Sequence, residues 1–168
     1  PDGVSGFNGV VTLNLQNLNR VLDVDTRSGV VHAEGGILGP DLESALKPHG
    51  LAVRHFPQSY FHSTLGGWAA TRGAGHFSTG MAKIEDRVQA LGIDLPDGRR
   101  VETRPLPASS VGPDPNRLWL GSEGCLGVIT DVRLRCVRIP TARKSSGIVF
   151  PSFEQALDAA RELLQSGL

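Results

Sequence analysis

The sequence predicts an α+β fold. Three observations carry that prediction. Short alternating apolar runs recur along the chain. Two or three helical segments sit between them without forming repeated βαβ units. One long Gly/Ser/Thr-rich stretch, residues 57–80, separates the early elements from the late ones.

The elements follow in order. Residues 9–15 (GVVTLNL) alternate as a strand, and Leu18 in the next connection is expected to face the core. Residues 21–24 (VLDV) and 30–34 (VVHAE) form a hairpin around the turn 25–29 (DTRSG), whose Asp, Ser and Gly favour local bends. Pro40 opens a helix reaching about His49. Asp41 and Glu43 suit its positive end, Leu42, Ala45 and Leu46 its apolar face, and Gly50 its stop. Residues 51–53 are strand-like, and residues 65–72 form a short helix inside the long loop. Residues 84–95 read as one long strand, turned by Pro96-Asp97-Gly98-Arg99 into a return strand at 100–103. A short helix at 116–120 leads to Gly121. Residues 127–137 form a strand with Val128, Thr130, Val132, Leu134 and Cys136 in alternation, and residues 145–150 form another. Residues 152–166 form a helix opened by a capping box of Ser152 and Gln155, with Leu157, Ala160, Leu163 and Leu164 on its apolar face.

The chain has 168 residues, enough to bury a core. Its 17 Lys and Arg balance 17 Asp and Glu, so nothing electrostatic draws it to nucleic acid or an anionic membrane. No apolar run reaches the roughly 18 residues that a membrane span needs. Cys125 and Cys136 match neither a redox pair nor a zinc motif and are expected to be buried free thiols in a reducing compartment, which suggests a cytoplasmic protein. The five histidines (His32, His49, His55, His62, His76) have no metal-ligand spacing, and no metal is expected. His62 and His76 lie in the long loop, where they either face a ligand or stay on the surface. No GxSxG motif supports a hydrolase.

Two segments have the composition of a nucleotide site. Residues 57–75 mix hydroxyls, close glycines and Arg72. Glycine lets backbone amides approach an anion, and a helix opening at Gly66-Gly67 would add donors, which together suit a pyrophosphate. The alternative is a structural turn that packs Trp68. Residues 121–130 (GSEGCLGVIT) feed a glycine loop into a strand, where a flat ring or sugar could lie against bare backbone and Glu123 could accept hydrogen bonds. The alternative is a tight turn or bulge with Glu123 solvated. Residues 35–40 (GGILGP) lack the GxGxxG fingerprint and read as a helix-entry turn.

Taken together, the STLGGWAATRGAG stretch at 63–75 with IEDRV at 84–88, the GPDPN and LGSEGCLGVIT pieces within 112–130, and the order VHAEGGI, helix, PQS, loop resemble the FAD-linked oxidases of the p-cresol methylhydroxylase or vanillyl-alcohol oxidase type. The match is closest to the alkylglycerone-phosphate synthase branch and runs over nearly the whole chain. The resemblance implies a PCMH-type FAD-binding domain, mainly its second subdomain, with a mostly antiparallel or mixed sheet flanked by helices. It places this partial domain at residues 1–150 and the start of a substrate cap at 151–168. A GGGTS-like phosphate loop would precede residue 1 and the rest of the cap would follow residue 168.

Carried over by position, Gln58, Ser59, Ser63, Thr64 and Gly66 would contact the flavin or its pyrophosphate. Thr71, Arg72, Gly73 and Ala74 would continue that wall. Glu123, Gly124, Leu126, Gly127 and Ile129 would contact the adenosine side or the flavin, and Trp68 would be buried support. The implied cofactor is FAD, and the implied partners are FAD and a small-molecule substrate, with a homodimer as an open assembly state. The catalytic residues, which would lie in the cap, have no assignment. Three functions are compatible: a flavin oxidase or dehydrogenase of 2-hydroxy acids or alcohols, a synthase exchanging acyl for alkyl on dihydroxyacetone phosphate, and a remnant without cofactor. Lacking one wall of the pyrophosphate site, the chain alone is expected to hold FAD weakly or not at all.

Overall fold

A computed structural model describes residues 11–167. The hairpin appears as β1 (Val21–Asp25) and β2 (Val30–Glu34), closed by Gly29 at φ +66° and by the Asp25 carboxylate, which accepts from the amides of Arg27 and Ser28. Helix α1 (Gly39–Leu46) follows with Pro40 in its first turn and passes into a 3₁₀ turn, Lys47–His49. Gly50, at φ +67°, ends it in the left-handed region that glycine enters without strain. Leu42 and Leu46 are fully buried, so the apolar spacing faces the core as expected. The short strand β3 (Leu51–Ala52) pairs with β7 (Val137–Arg138).

The main sheet continues with β4 (Val88–Asp94), β5 (Arg100–Glu102) and β6 (Val128–Arg135). Its order is β1-β2-β6-β4-β5, and every pairing is antiparallel. One face, with Val31, Ala33, Val132 and Leu134, packs under α1 and α2 (Leu65–Thr71). The opposite face is polar. Its central Asp131 accepts from Arg100 and lies 2.7 Å from His32; burial pushes its carboxyl up, but hydrogen bonding to His32 and Arg100 outweighs this and holds it below the usual range. Gly92 makes the room: a Cβ there would lie 2.0 Å from the Asp131 carboxylate.

Several expectations need correction. Residues 9 and 10 lie outside the described residues, and residues 11–15 form no strand, with Val11 and Leu13 exposed. The segment 84–95 is not one strand. Ile84–Arg87 is a helical turn, α4, after α3 (Ser78–Met81), and the strand starts at Val88. The turn directs Arg87 inward. Its guanidinium donates to the Val53 carbonyl and, at 2.9 and 3.2 Å, to that of Arg135, tying the β3 segment to the end of β6. Residues 145–150 form no strand, because no neighbouring edge pairs with them. The helix α6 (Phe153–Gln165) forms with Ser152 Oγ accepting from the Gln155 amide, as its cap pattern requires, yet none of its residues is buried and Leu157, Leu163 and Leu164 are exposed. Both cysteines are free, but Cys125 is exposed rather than buried.

Between β5 and β6, α5 (Asn116–Trp119) is anchored by the buried Asn116. Its Oδ1 accepts from Thr103 Oγ1 at 2.7 Å and its Nδ2 donates to the Gln89 carbonyl. This fixes where the chain enters the turn at 121. Replacing Arg87 by Met keeps the volume but leaves two buried carbonyls without donors. Arg87→Met is expected to lower the unfolding free energy by about 2–4 kcal/mol in denaturant titration.

Candidate functional site

The first candidate segment is built around α2. Thr64 caps it with extended backbone and Oγ1 accepting from the Gly67 amide at 3.2 Å. Trp68 is buried, as expected of a support. Its indole N–H donates to Ser63 Oγ at 2.7 Å, and its ring meets His55 edge-on with centroids 4.9 Å apart. The helix ends in a left-handed residue, Arg72 at φ +52°, with the Gly73 amide bonded to the Trp68 carbonyl.

The start of α2 does not offer the expected anion donors. The Leu65 amide donates to the Ile37 carbonyl at 3.0 Å, the Gly66 amide to Gly35 at 2.7 Å, and the Gly67 amide to Thr64. Gly66 serves instead as a point of close approach: its Cβ would lie 2.9 Å from the Gly35 carbonyl oxygen and 3.0 Å from that of Ile129. Gly35 in turn donates to the Thr130 carbonyl at 2.7 Å. The stretch read as a helix-entry turn is thus also a three-way backbone crossing that joins β2, α2 and the start of β6. The pair of glycines before Ile37 was its only sequence signal.

The second segment lies against the same helix. The amides of Gly121 and Glu123 donate to the carbonyls of Ala69 and Ala70 at 3.2 and 3.0 Å. Arg72 locks the junction, its Nε donating to the Leu120 carbonyl at 3.0 Å and its Nη2 to that of Arg117 at 3.4 Å. Glu123 and Gly124 are both left-handed (φ +51° and +80°), which turns the chain outward before Leu126. The two predicted segments therefore share one wall.

Each candidate has a definite place on that wall. Gln58, Ser59, Thr71, Arg72, Ala74, Glu123, Gly124 and Leu126 are exposed, and Ser63, Thr64 and Gly73 are half-buried. Gly66, Gly127 and Ile129 are buried. Gly127 is pressed against Ile93 and Asp94, and Ile129 sends its side chain into the core and its carbonyl toward Gly66. His62 and His76 are exposed. Among the described residues, the amides of Ala74, Gly124 and Leu126 have no protein partner, so free donors lie beyond the C-terminal end of α2 and in the outward turn, as they do at Gln58 and Ser59 before α2.

Sequence reasoning missed one wall. A cavity of about 510 Å³ has Leu13, Leu15 and Leu18 on one side and Gly124, Gly127 and Thr130 on another. In sequence these leucines have the pattern of strand and core positions. The Gly36 amide donates to the Leu18 carbonyl at 2.8 Å, and a Cβ on Gly36 would fall 2.0 Å from the Leu15 carbonyl oxygen, so the glycine crossing also seats this apolar strap.

The FAD binding domain family matches residues 2–104. The chain belongs to that family. The FAD-binding domain is 38% identical to alkyldihydroxyacetonephosphate synthase of Trypanosoma brucei brucei over 159 residues, covering 95% of this chain and 26% of the relative. It is 36% identical to the synthase of Dictyostelium discoideum, over 97% of this chain and 26% of the relative. It is 30% identical to a probable mitochondrial D-lactate dehydrogenase of Danio rerio, over 99% and 34%. A solved structure titled as alkyldihydroxyacetonephosphate synthase superposes with a TM-score of 0.81 at 35% identity, over 91% of this chain and 30% of that one. The domain thus spans about a quarter to a third of the length of these proteins. No described helix is long and apolar enough to cross a membrane.

The residues present fit the family's cofactor, FAD. An apolar strap faces bare glycine backbone across a cavity, and the outward turn leaves amide donors open beside it. A Cβ on Gly124 would meet no heavy atom within 4 Å, which leaves its surroundings clear.

Two outcomes test the site's construction. Gly66→Ala forces a methyl between two backbone carbonyls and is expected to cost about 1–3 kcal/mol in thermal unfolding. Burial, reinforced by Arg87, holds the His55 imidazole neutral by pushing its pKa down to about 4 from 6.5. The unfolded chain takes up this proton at higher pH than the folded one. The histidine's contribution is therefore complete above pH 6.5 and lost as pH falls toward 4, by up to about 3 kcal/mol. Denaturant titrations across that window should show this slope, and His55→Phe should flatten it.

Proposed function

We propose that the two loops joined by α2 form one wall of the FAD site. The observation behind this reading is their shared hydrogen bonding: the 121–123 turn hangs from the carbonyls of Ala69 and Ala70, so neither loop can be placed without the other. Ser63, Thr64, Gln58 and Ser59 supply side-chain polar groups on one side, and Thr71, Gly73 and Ala74 extend the wall. Glu123, Gly124, Leu126 and the backbone of Gly127 and Ile129 flank the cavity on the other. Gly66 acts through the closeness it permits. Arg72 acts first as a clamp on the Leu120 and Arg117 carbonyls.

Bound there, FAD supplies electron-transfer chemistry that no side chain can. This chain's residues bind it, fix its orientation and keep water from one side. The apolar strap of Leu13, Leu15 and Leu18 suits a flat heteroaromatic ring, which gains from burial against leucine and from close approach to glycine backbone.

The protein as a whole is then a flavin-dependent oxidoreductase of a 2-hydroxy acid or alcohol, a reading supported by the dehydrogenase relative. A second reading, alkyl-for-acyl exchange on dihydroxyacetone phosphate, is favoured by the 38% identity and the 0.81 TM-score to the synthases. Titration of FAD fluorescence with the protein should give saturable quenching, and Gly124→Val, which adds a side chain to the outward turn, should weaken it about tenfold or more. Loss of flavin absorbance on anaerobic addition of hydroxy acids supports the oxidoreductase. Turnover of acyl-dihydroxyacetone phosphate with a fatty alcohol, without bleaching, supports the synthase. No flavin binding by the protein as a whole would overturn both.

A further inference from the structure

His55 is 3% exposed and packs edge-on against Trp68. Its Nε2 is buried and has no hydrogen-bond partner. A buried polar nitrogen without a partner is costly, and a native fold leaves few of them. What covers it is the loop after α2: side chains built on Gly73 and Gly75 would sit 3.7 Å from Nε2 and 3.2 Å from Nδ1. The imidazole is therefore a floor under residues 73–75.

The polar groups of that loop divide sharply. The Gly73 amide is bonded to the Trp68 carbonyl, and the Gly75 amide and carbonyl are bonded to Ser78 Oγ and the Ser78 amide. The His76 amide is bonded to the Phe56 carbonyl. Among the described residues, the Gly73 carbonyl and the Ala74 amide and carbonyl have no partner. An orphan imidazole nitrogen thus lies beneath a loop with two free carbonyls, and the free amide of the same loop belongs to the candidate cofactor wall.

We propose that His55 is a positioning residue for the cofactor loop. When the Ala74 amide engages FAD, the loop settles onto the imidazole and one of the two free carbonyls accepts Nε2–H. A neutral imidazole protonated on Nε2 provides that donor. The loop's bound position is then held from below by a hydrogen bond that the free form lacks. Gly73 permits the approach because no side chain separates its backbone from the ring.

This inference rests on the FAD reading above, and the test separates the two. In protein labelled with ¹⁵N-histidine, the Nε2 resonance of His55, assigned by its loss in His55→Phe, is followed as FAD is added. The expected result is a shift of Nε2–H to a hydrogen-bonded position with slower solvent exchange. His55→Phe should weaken FAD binding about tenfold while leaving the melting temperature of the FAD-free protein unchanged or higher, because it removes an unpaired buried nitrogen. His55→Gln, which restores a donor, should recover part of the affinity. If FAD binds but leaves the Nε2 signal unmoved, and His55→Phe binds FAD like the parent, the role of His55 is overturned and the cofactor site stands. If the parent protein binds no FAD, both fall.

Discussion

The structure depends on one close approach. Gly66, in the first turn of α2, lies against the carbonyls of Gly35 and Ile129, and the amides of Leu65 and Gly66 bond to Ile37 and Gly35. A helix that begins this near a sheet has only one possible direction and depth. Its far end then places the carbonyls of Ala69 and Ala70 where they accept from Gly121 and Glu123. Strap, helix and turn are positioned by one crossing of backbone, with side chains largely excluded from it.

The same economy explains how a polar sheet face coexists with a rigid site. The buried Asp131 carboxylate receives Arg100 and His32, and Arg100 also reaches Thr130 Oγ1 and Asp94. Both Thr130 and Asp94 border the cavity beside Gly127. A buried charge is tolerated when its lone pairs are satisfied, and this network holds the register of β6 against β4 and β2 at the strand that feeds the second loop. At the other end of β6, Arg87 performs a related task with backbone carbonyls as partners.

Much of this was legible in the sequence. The hairpin at Gly29, the stop at Gly50 and the return at Gly98 follow from glycines, which enter the required left-handed backbone without strain. Resemblance brought residues 63–75 and 121–130 together, and the hydrogen bonds from Gly121 and Glu123 to α2 join them physically. Other features were not local. Residues 88–95 alternate like a strand, but 84–87 form a helical turn that accompanies the burial of Arg87 against chain-distant carbonyls. The helix at 153–165 has a strong apolar stripe that nothing in the described residues covers. The amides at Gly66 and Gly67 look like an anion cradle in sequence, yet chain-distant carbonyls already hold Leu65 and Gly66. Which donors stay free is a property of the packed backbone, and it moved the candidate donors to Ala74, Gly124 and Leu126.

The central claim is that the two loops act as a single wall for one ligand. Amide hydrogen exchange at single-residue resolution, with and without FAD, tests it most directly. With a single wall, the amides of Ala74, Gly124 and Leu126, unbonded in the free protein, slow together on FAD addition. Protection confined to one loop, or absent from both while FAD is bound, would contradict it.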